Sequence, residues 1–416
     1  MICENCVINP SMKLFVQQSG LSATCDYCKT TAICIDDTKL YEFMFDRACN
    51  ALLPIEYMSY YEQTMIFNCG VSEPRVFPLW EFFEDFAQFA VDPFMEYVQE
   101  VLPDEKVSSG GDRLYALNDG HLDENNEFES RWHQFIGSIR HDKRFFNHEA
   151  KKFCEDLFAA ICEGDELNTE LIYELKESDS IFRARIAYNT ENIKAINSDP
   201  VSQLGPVPKE FATSQRMTPT GVSAFYGAFD RNTCLSELRP IVGDAVVSGE
   251  FKPNRNLRLL DLNALTSLPA PQDFFASDYL QKSHAIAFFH ELVFQLTRPS
   301  SRNGHHDYLA TQVVFEYLGM KFGHQVHGIK YSSVQKNGGT DCISLFPEHS
   351  LVNEGVYCIE EPHIFSEKQA ALYFVPDSLR FHRVKSVTYE GSEHDSDHDL
   401  TMNDGVLRKL FPEMRY

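Results

Sequence analysis

Ile181-Phe182-Arg183-Ala184-Arg185-Ile186 is the stretch on which the organisation of this chain turns. Before it, apolar residues recur at helical spacing. After it, short strand-like runs alternate with loops. The stretch itself reads as a strand, and alternation puts Arg183 and Arg185 on one face. A charge in so apolar a run is costly unless something meets it, so Arg183 requires an anionic ligand or a carboxylate partner.

Downstream, Ala245–Phe251, Leu257–Leu262, Val356–Glu360 and Val384–Glu390 read as strands, and His284–Leu296 and Tyr308–Leu318 as helices. Residues 176–416 are therefore expected to form an α+β domain of mostly short strands. Upstream, residues 36–175 read as helical. Lys39–Leu53 stops before Pro54, Leu79–Phe86 starts a helix with a break near Pro93, and apolar residues from Ser130 to Cys162 trace one face, Phe146 among them. Leu171–Lys176 reads as a short helix and Ser109–Asn126 as a polar loop. Trp80 and Trp132 are expected core anchors. No internal repeat is visible.

Residues 1–35 are too short and polar for a core of their own. Cys3-x2-Cys6 and Cys25-x2-Cys28, separated by 18 residues, match a four-cysteine zinc ribbon. Four thiolates fill a tetrahedral ion and leave no open position, so a structural Zn2+ is expected, and its binding supplies folding energy the segment lacks. The other eight of the twelve cysteines are scattered and read as small buried side chains.

With 37 basic against 61 acidic residues the formal charge is −24, which makes nucleic acid a poor partner. No apolar run approaches the ~20 residues of a membrane span, and no secretory signal is evident, so a cytoplasmic protein is expected. Any nucleotide site here must be locally basic, which raises the value of arginines in apolar surroundings. The histidines (His284, His290, His305-His306) and the acidic patch Glu390–Asp399 are read as structural or solvated.

A spaced polar set runs through the second half: Phe182-Arg183, Gln215-Arg216-Met217-Thr218, Phe225-Tyr226-Gly227, Leu235-Ser236-Glu237-Leu238 and Gly328-Ile329-Lys330-Tyr331-Ser332-Ser333. With Asp307-Tyr308-Leu309-Ala310-Thr311-Gln312, this order and spacing resembles the RES domain family, from about residue 178 to at least 350. The first 160 residues are similar to the zinc-knuckle, HEPN-like segment that precedes some RES domains. HEPN ribonucleases use Arg-x4–6-His. Here Arg144 and His148 have three residues between them and Arg140 and His148 seven, so no ribonuclease activity is assigned.

The resemblance implies a fold akin to ADP-ribosyltransferase toxins and an activity that destroys NAD by hydrolysis or phosphorolysis of the nicotinamide–ribose bond. NAD is then substrate rather than cofactor, and no glycine-rich dinucleotide fingerprint follows a strand. Breaking that bond creates an oxocarbenium-like ribose, which a carboxylate stabilises, and Glu237 is the candidate. Arg183 and Arg216 are candidate pyrophosphate clamps, with Arg185 a second-rank one. Tyr226 is a candidate stacking or hydroxyl contact, and Ser333, with Ser332 as the alternative register, a substrate hydrogen bond. An ADP-ribosyltransferase acting on a macromolecule and a non-catalytic NAD sensor are the rival readings. A toxin-like enzyme implies an antitoxin or regulatory partner, and a homo-oligomer is left open.

Overall fold

The computed structural model describes residues 1–69, 74–103, 111–122, 125–298, 308–334, 340–354 and 370–387. It divides into two compact units. The first comprises Met1–Gln134, Glu155–Ala160 and Leu268–Phe288, and the second Phe135–Cys154, Ile161–Ser267 and Phe289–Tyr416.

In the first unit, β1 (Ile2–Cys3), β2 (Leu21–Thr24) and β3 (Thr31–Ile35) form a small antiparallel sheet, with α1 (Pro10–Ser19) crossing between its first two strands. Asn9 caps α1, and Pro10 takes a first-turn position where no N–H is missed. Next come α2 (Asp37–Ala51), β4 (Leu52–Pro54), α3 (Tyr60–Cys69), β5 (Val76–Pro78), α4 (Leu79–Phe86) and α5 (Asp92–Val101). Helix α2 gives way to strand at Leu52 because Leu52-Leu53 pair with β6 (Leu114–Leu117), a strand inside the expected polar loop. Val76–Pro78 pair on its other side. The break near Pro93 is real, since Pro93 sits in the first turn of α5. Trp80, expected in the core, is 45 % exposed, because the buried stripe of α4 runs through Leu79, Phe82 and Phe83.

The Ser130–Cys162 face is two helices, α6 (Glu127–Gly137) and α7 (His148–Phe158), with a π-helical turn at Ser138–Asp142. Trp132 and Phe153 are buried, but Phe146 lies exposed in the break with φ 53. The later segment Leu268–Phe288 belongs to the first unit. Phe274 and Phe275 stack edge-on and tilted against Phe82, and Asp273 accepts hydrogen bonds from Asn9 and Ser11. His284 is buried there, accepting from the Glu127 N–H at 3.0 Å and lying 3.1 Å from Asn118 Oδ1.

The second unit continues with a short hairpin, β7 (Cys162–Glu163) with β8 (Glu166–Leu167), then β9 (Ile172–Leu175) and β10 (Ile181–Ala187). Strand β9 replaces the expected helix Leu171–Lys176, because pairing with residues 257–260 decides the conformation of so short a run. The remaining elements are α8 (Thr190–Ser198), α9 (Pro200–Leu204), β11 (Tyr226–Ala228), α10 (Arg231–Glu237), β12 (Ala245–Pro253), β13 (Leu257–Asp261), α11 (Leu262–Leu265), α12 (Tyr279–Thr297, of which only Phe289 onward belongs to this unit), α13 (Leu309–Phe322), β14 (Gly328–Ser332), β15 (Asp341–Leu345), β16 (Val352–Glu354), β17 (Leu372–Phe374) and β18 (Arg380–Arg383).

Among the described residues ten strands make one mixed sheet, in the order β16-β17-β12-β10-β11-β15-β14-β13-β9, with β18 also on β12. The α+β character expected of the second half is present. Strand β18 lies just ahead of the expected Val384–Glu390, whose described part, 384–387, is not strand. Val356–Glu360, His305-His306 and Glu390–Asp399 lie outside the described residues. Gly227 is required where it stands, since a Cβ there would meet the Ile181 side chain at 2.3 Å. No helix among the described residues is long and apolar enough to cross a membrane.

Candidate active site

Glu237 ends α10, and its position is fixed from the other end of that helix. Asp230 caps the helix, accepting from the N–H groups of Asn232 and Thr233 at 2.8 and 3.0 Å. Burial pushes the Asp230 carboxyl up, but hydrogen bonds from Thr233 and Thr340 outweigh it and hold the group at about 2. Thr340 also donates its N–H to Thr233 Oγ1 at 3.1 Å, tying the start of β15 to α10.

Two neighbours engage the Glu237 carboxylate. Ser333 Oγ donates to Oε1 at 2.6 Å, and Arg216 Nη2 lies 3.8 Å from Oε2. Ser332 turns away, donating its hydroxyl to Asp341 Oδ1 at 2.9 Å and its N–H to Asn263 Oδ1 at 3.2 Å. Of the two serines, Ser333 therefore faces Glu237. Behind them the buried Lys330 bridges Asp261 and Asp341 at 2.8 and 2.7 Å. Burial works against its charge, and the two carboxylates more than restore it.

Arg216 rides on a tight turn closed by the Gln215 N–H donating to Thr218 O at 2.8 Å. Its guanidinium lies 5.9 Å from the Tyr331 ring centroid. Tyr226 Oη accepts from the Met217 N–H at 3.3 Å and lies 3.0 Å from Thr218 Oγ1. That hydroxyl braces the Arg216 turn, and burial raises its pKa, so it stays protonated. The charges of Arg183 and Arg216 both reach Tyr226.

Arg183 lies over the Phe225 ring at 5.1 Å. Its Nη1 is buried without a hydrogen-bond partner, and so is Nη1 of Arg216. Burial, reinforced by neighbouring Arg185, pulls the Arg183 pKa down to about 10, which still leaves it charged at neutral pH. Arg185 is half-buried and likewise lowered by burial. Arg183, Gln215, Thr218, Ser223 and Tyr226 help to line a small cleft whose enclosed volume is about 10 Å3, roughly the room of one water molecule.

A half-buried guanidinium that stacks on Phe225 but pairs with no carboxylate among the described residues costs the fold stability. Arg183→Met is therefore expected to stabilise the protein by about 1–4 kcal/mol while removing anion affinity. Thermal unfolding with calorimetric titration of NAD checks this. A lower melting temperature with unchanged binding would mark Arg183 as structural.

In the first unit Cys3, Cys6, Cys25 and Cys28 converge, with all four Sγ atoms within 4.8 Å of one another. Three of the separations are 3.5, 3.5 and 3.8 Å. A zinc tetrahedron with Zn–S of about 2.3 Å has S–S edges of about 3.8 Å, so the cage fits that ion and is far too wide for a disulfide. Thr30, through its hydroxyl at 2.9 Å and its backbone, holds the Cys28 thiol at about 6, whereas burial pushes Cys3 and Cys6 up.

The sequence set thus meets in one place, with Ser332 and Arg185 at its margin. Sequence reasoning missed the supports: Gln312, the Lys330–Asp261–Asp341 group and the Thr340–Asp230 tie. Gln312 and Lys330 lay inside motifs already quoted, but nothing in their residue type named a role.

Residues 186–361 match the family model of the RES domain, and residues 18–153 that of the HEPN/RES N-terminal domain 1. No curated protein matches the chain. The chain carries a RES domain behind a helical HEPN/RES N-terminal domain. Arg183 falls three residues ahead of the matched region, on the same strand, β10.

Proposed function

We propose, from the premise of a RES domain, that this protein degrades NAD by cleaving the bond between nicotinamide and ribose. The observation that carries this reading is a pair of buried guanidinium nitrogens, Nη1 of Arg183 and of Arg216, that lack partners beside a carboxylate held by Ser333. In a chain of net charge −24, Arg183 without a carboxylate partner among the described residues, and Arg216 with Glu237 only 3.8 Å away, suit a ligand that brings its own anion. The dinucleotide pyrophosphate is such an anion, and Tyr226 offers a ring between the two arginines.

Glu237 then faces the ribose. The C1′–N bond breaks with its electron pair passing to the ring, so nicotinamide leaves neutral. The positive charge left on the ribose is stabilised by the Glu237 carboxylate. Water attacks C1′ and loses its proton, giving ADP-ribose, or phosphate attacks and gives the 1″-phosphate. The Cys3, Cys6, Cys25, Cys28 cage holds a structural zinc in the same proposal, with no role in the reaction. A toxin or defence effector that consumes NAD in its own cell also needs restraint, so a neutralising partner belongs to this reading.

The test is to incubate the full chain with NAD, with and without phosphate, and to separate the products. Nicotinamide release is expected, with the second product naming the acceptor. Label carried onto protein or RNA in place of free ADP-ribose would favour transfer, and no release under any condition would overturn the enzyme reading.

A further inference from the structure

The turn carrying Arg216 is irregular backbone, and one side chain on α13 holds it. Gln312 is 7 % exposed, and its Nε2 lies 2.7 Å from Gln215 O, 3.2 Å from Thr218 O and 2.9 Å from Ser214 Oγ. An amide nitrogen has two hydrogens for these three acceptors. It therefore spans both ends of the turn and reinforces the closure made by Gln215 N–H to Thr218 O. The same turn supplies the Met217 N–H and Thr218 hydroxyl that meet Tyr226, and it brings Arg216 to Glu237. Without the Gln312 amide, Gln215 O loses its donor and Thr218 O loses one of two.

We propose that Gln312 is the positioning residue of the site: it sets where the Arg216 guanidinium stands relative to Glu237 and Tyr226, without itself touching substrate. The catalytic consequence rests on NAD cleavage, and the positional one does not.

Two variants test it in the full chain. Gln312→Leu removes both donors, and Gln312→Glu keeps the shape but when ionised has no hydrogen to donate to a carbonyl, so it is measured at about pH 8. Hydrogen exchange of the amides in residues 213–218 is expected to quicken about tenfold or more in both, with β12 unchanged. In the same samples kcat/KM for nicotinamide release should fall roughly tenfold to a hundredfold. Unchanged exchange in 213–218, or an equal rise across the whole sheet, overturns the proposal. Should the leucine variant fail to fold, the glutamate variant carries the same comparison. If the wild type releases no nicotinamide, the NAD reading fails while the exchange data still decide the role of Gln312.

Discussion

Glu237→Gln is expected to cut nicotinamide release by roughly a hundredfold to a thousandfold while NAD binding is kept or strengthened. The substitution preserves shape, and the Ser333 hydroxyl can still meet the side-chain oxygen that replaces Oε1. What disappears is the negative charge. In the ground state that charge offsets Arg216 across 3.8 Å, so its loss leaves the site more positive toward a pyrophosphate. In the transition state it faces the developing ribose cation, and there the loss is felt in full. Single-turnover kinetics paired with equilibrium binding separates the two effects. A variant that turns over like wild type would sink the mechanism, and one that loses binding and turnover together would make Glu237 a structural counter-ion to Arg216.

Replacing Cys25 and Cys28 together by serine should have the largest effect on the fold of the first unit. Cys3, Cys6 and Cys25 are buried in the same core as Val7, Met12, Phe82 and Phe94, so the cage is part of that unit's interior. Metal affinity is folding energy in such sites, with apparent values of about 10–16 kcal/mol measured in small zinc domains. The expected result is one zinc per chain in the native protein, none in the variant, and rapid proteolysis within residues 1–35. Zinc-free native protein, or a variant as resistant as wild type, would leave four reduced thiols and no ribbon. The RES unit supplies an internal control, since its core is built from other residues, such as Ile181, Phe225 and Phe251.

Where periodicity was long, the sequence was legible. Helices α2, α4, α12 and α13 and strands β10, β12 and β13 follow from runs whose apolar spacing has one reading. Short elements escaped because their conformation is settled by a distant partner: Leu114–Leu117 is a strand through Leu52–Pro54 and Val76–Pro78, and Ile172–Leu175 through Leu257–Leu260. The candidate site divides the same way. Arg183 could be singled out because an arginine between Phe182 and Ala184 violates the local apolar pattern. Gln312 could not, because a glutamine on a helix is ordinary until the loop it holds is known. The choice between Ser332 and Ser333 depends on how β14 ends, which one residue of register decides and no pattern in Tyr331-Ser332-Ser333 reveals.

The return of Leu268–Phe288 to the first unit bears on where the chain can be cut as well as on packing. The first unit is not one contiguous stretch of sequence: its interior includes Phe275 and Tyr279, which come after residues 135–267, a stretch assigned mostly to the second unit. A second unit expressed without residues 1–134 is expected to expose Phe274, Phe275 and Tyr279, which favours aggregation. A chain cut after Gln134 would in turn lack Phe275 and Tyr279 from its own core.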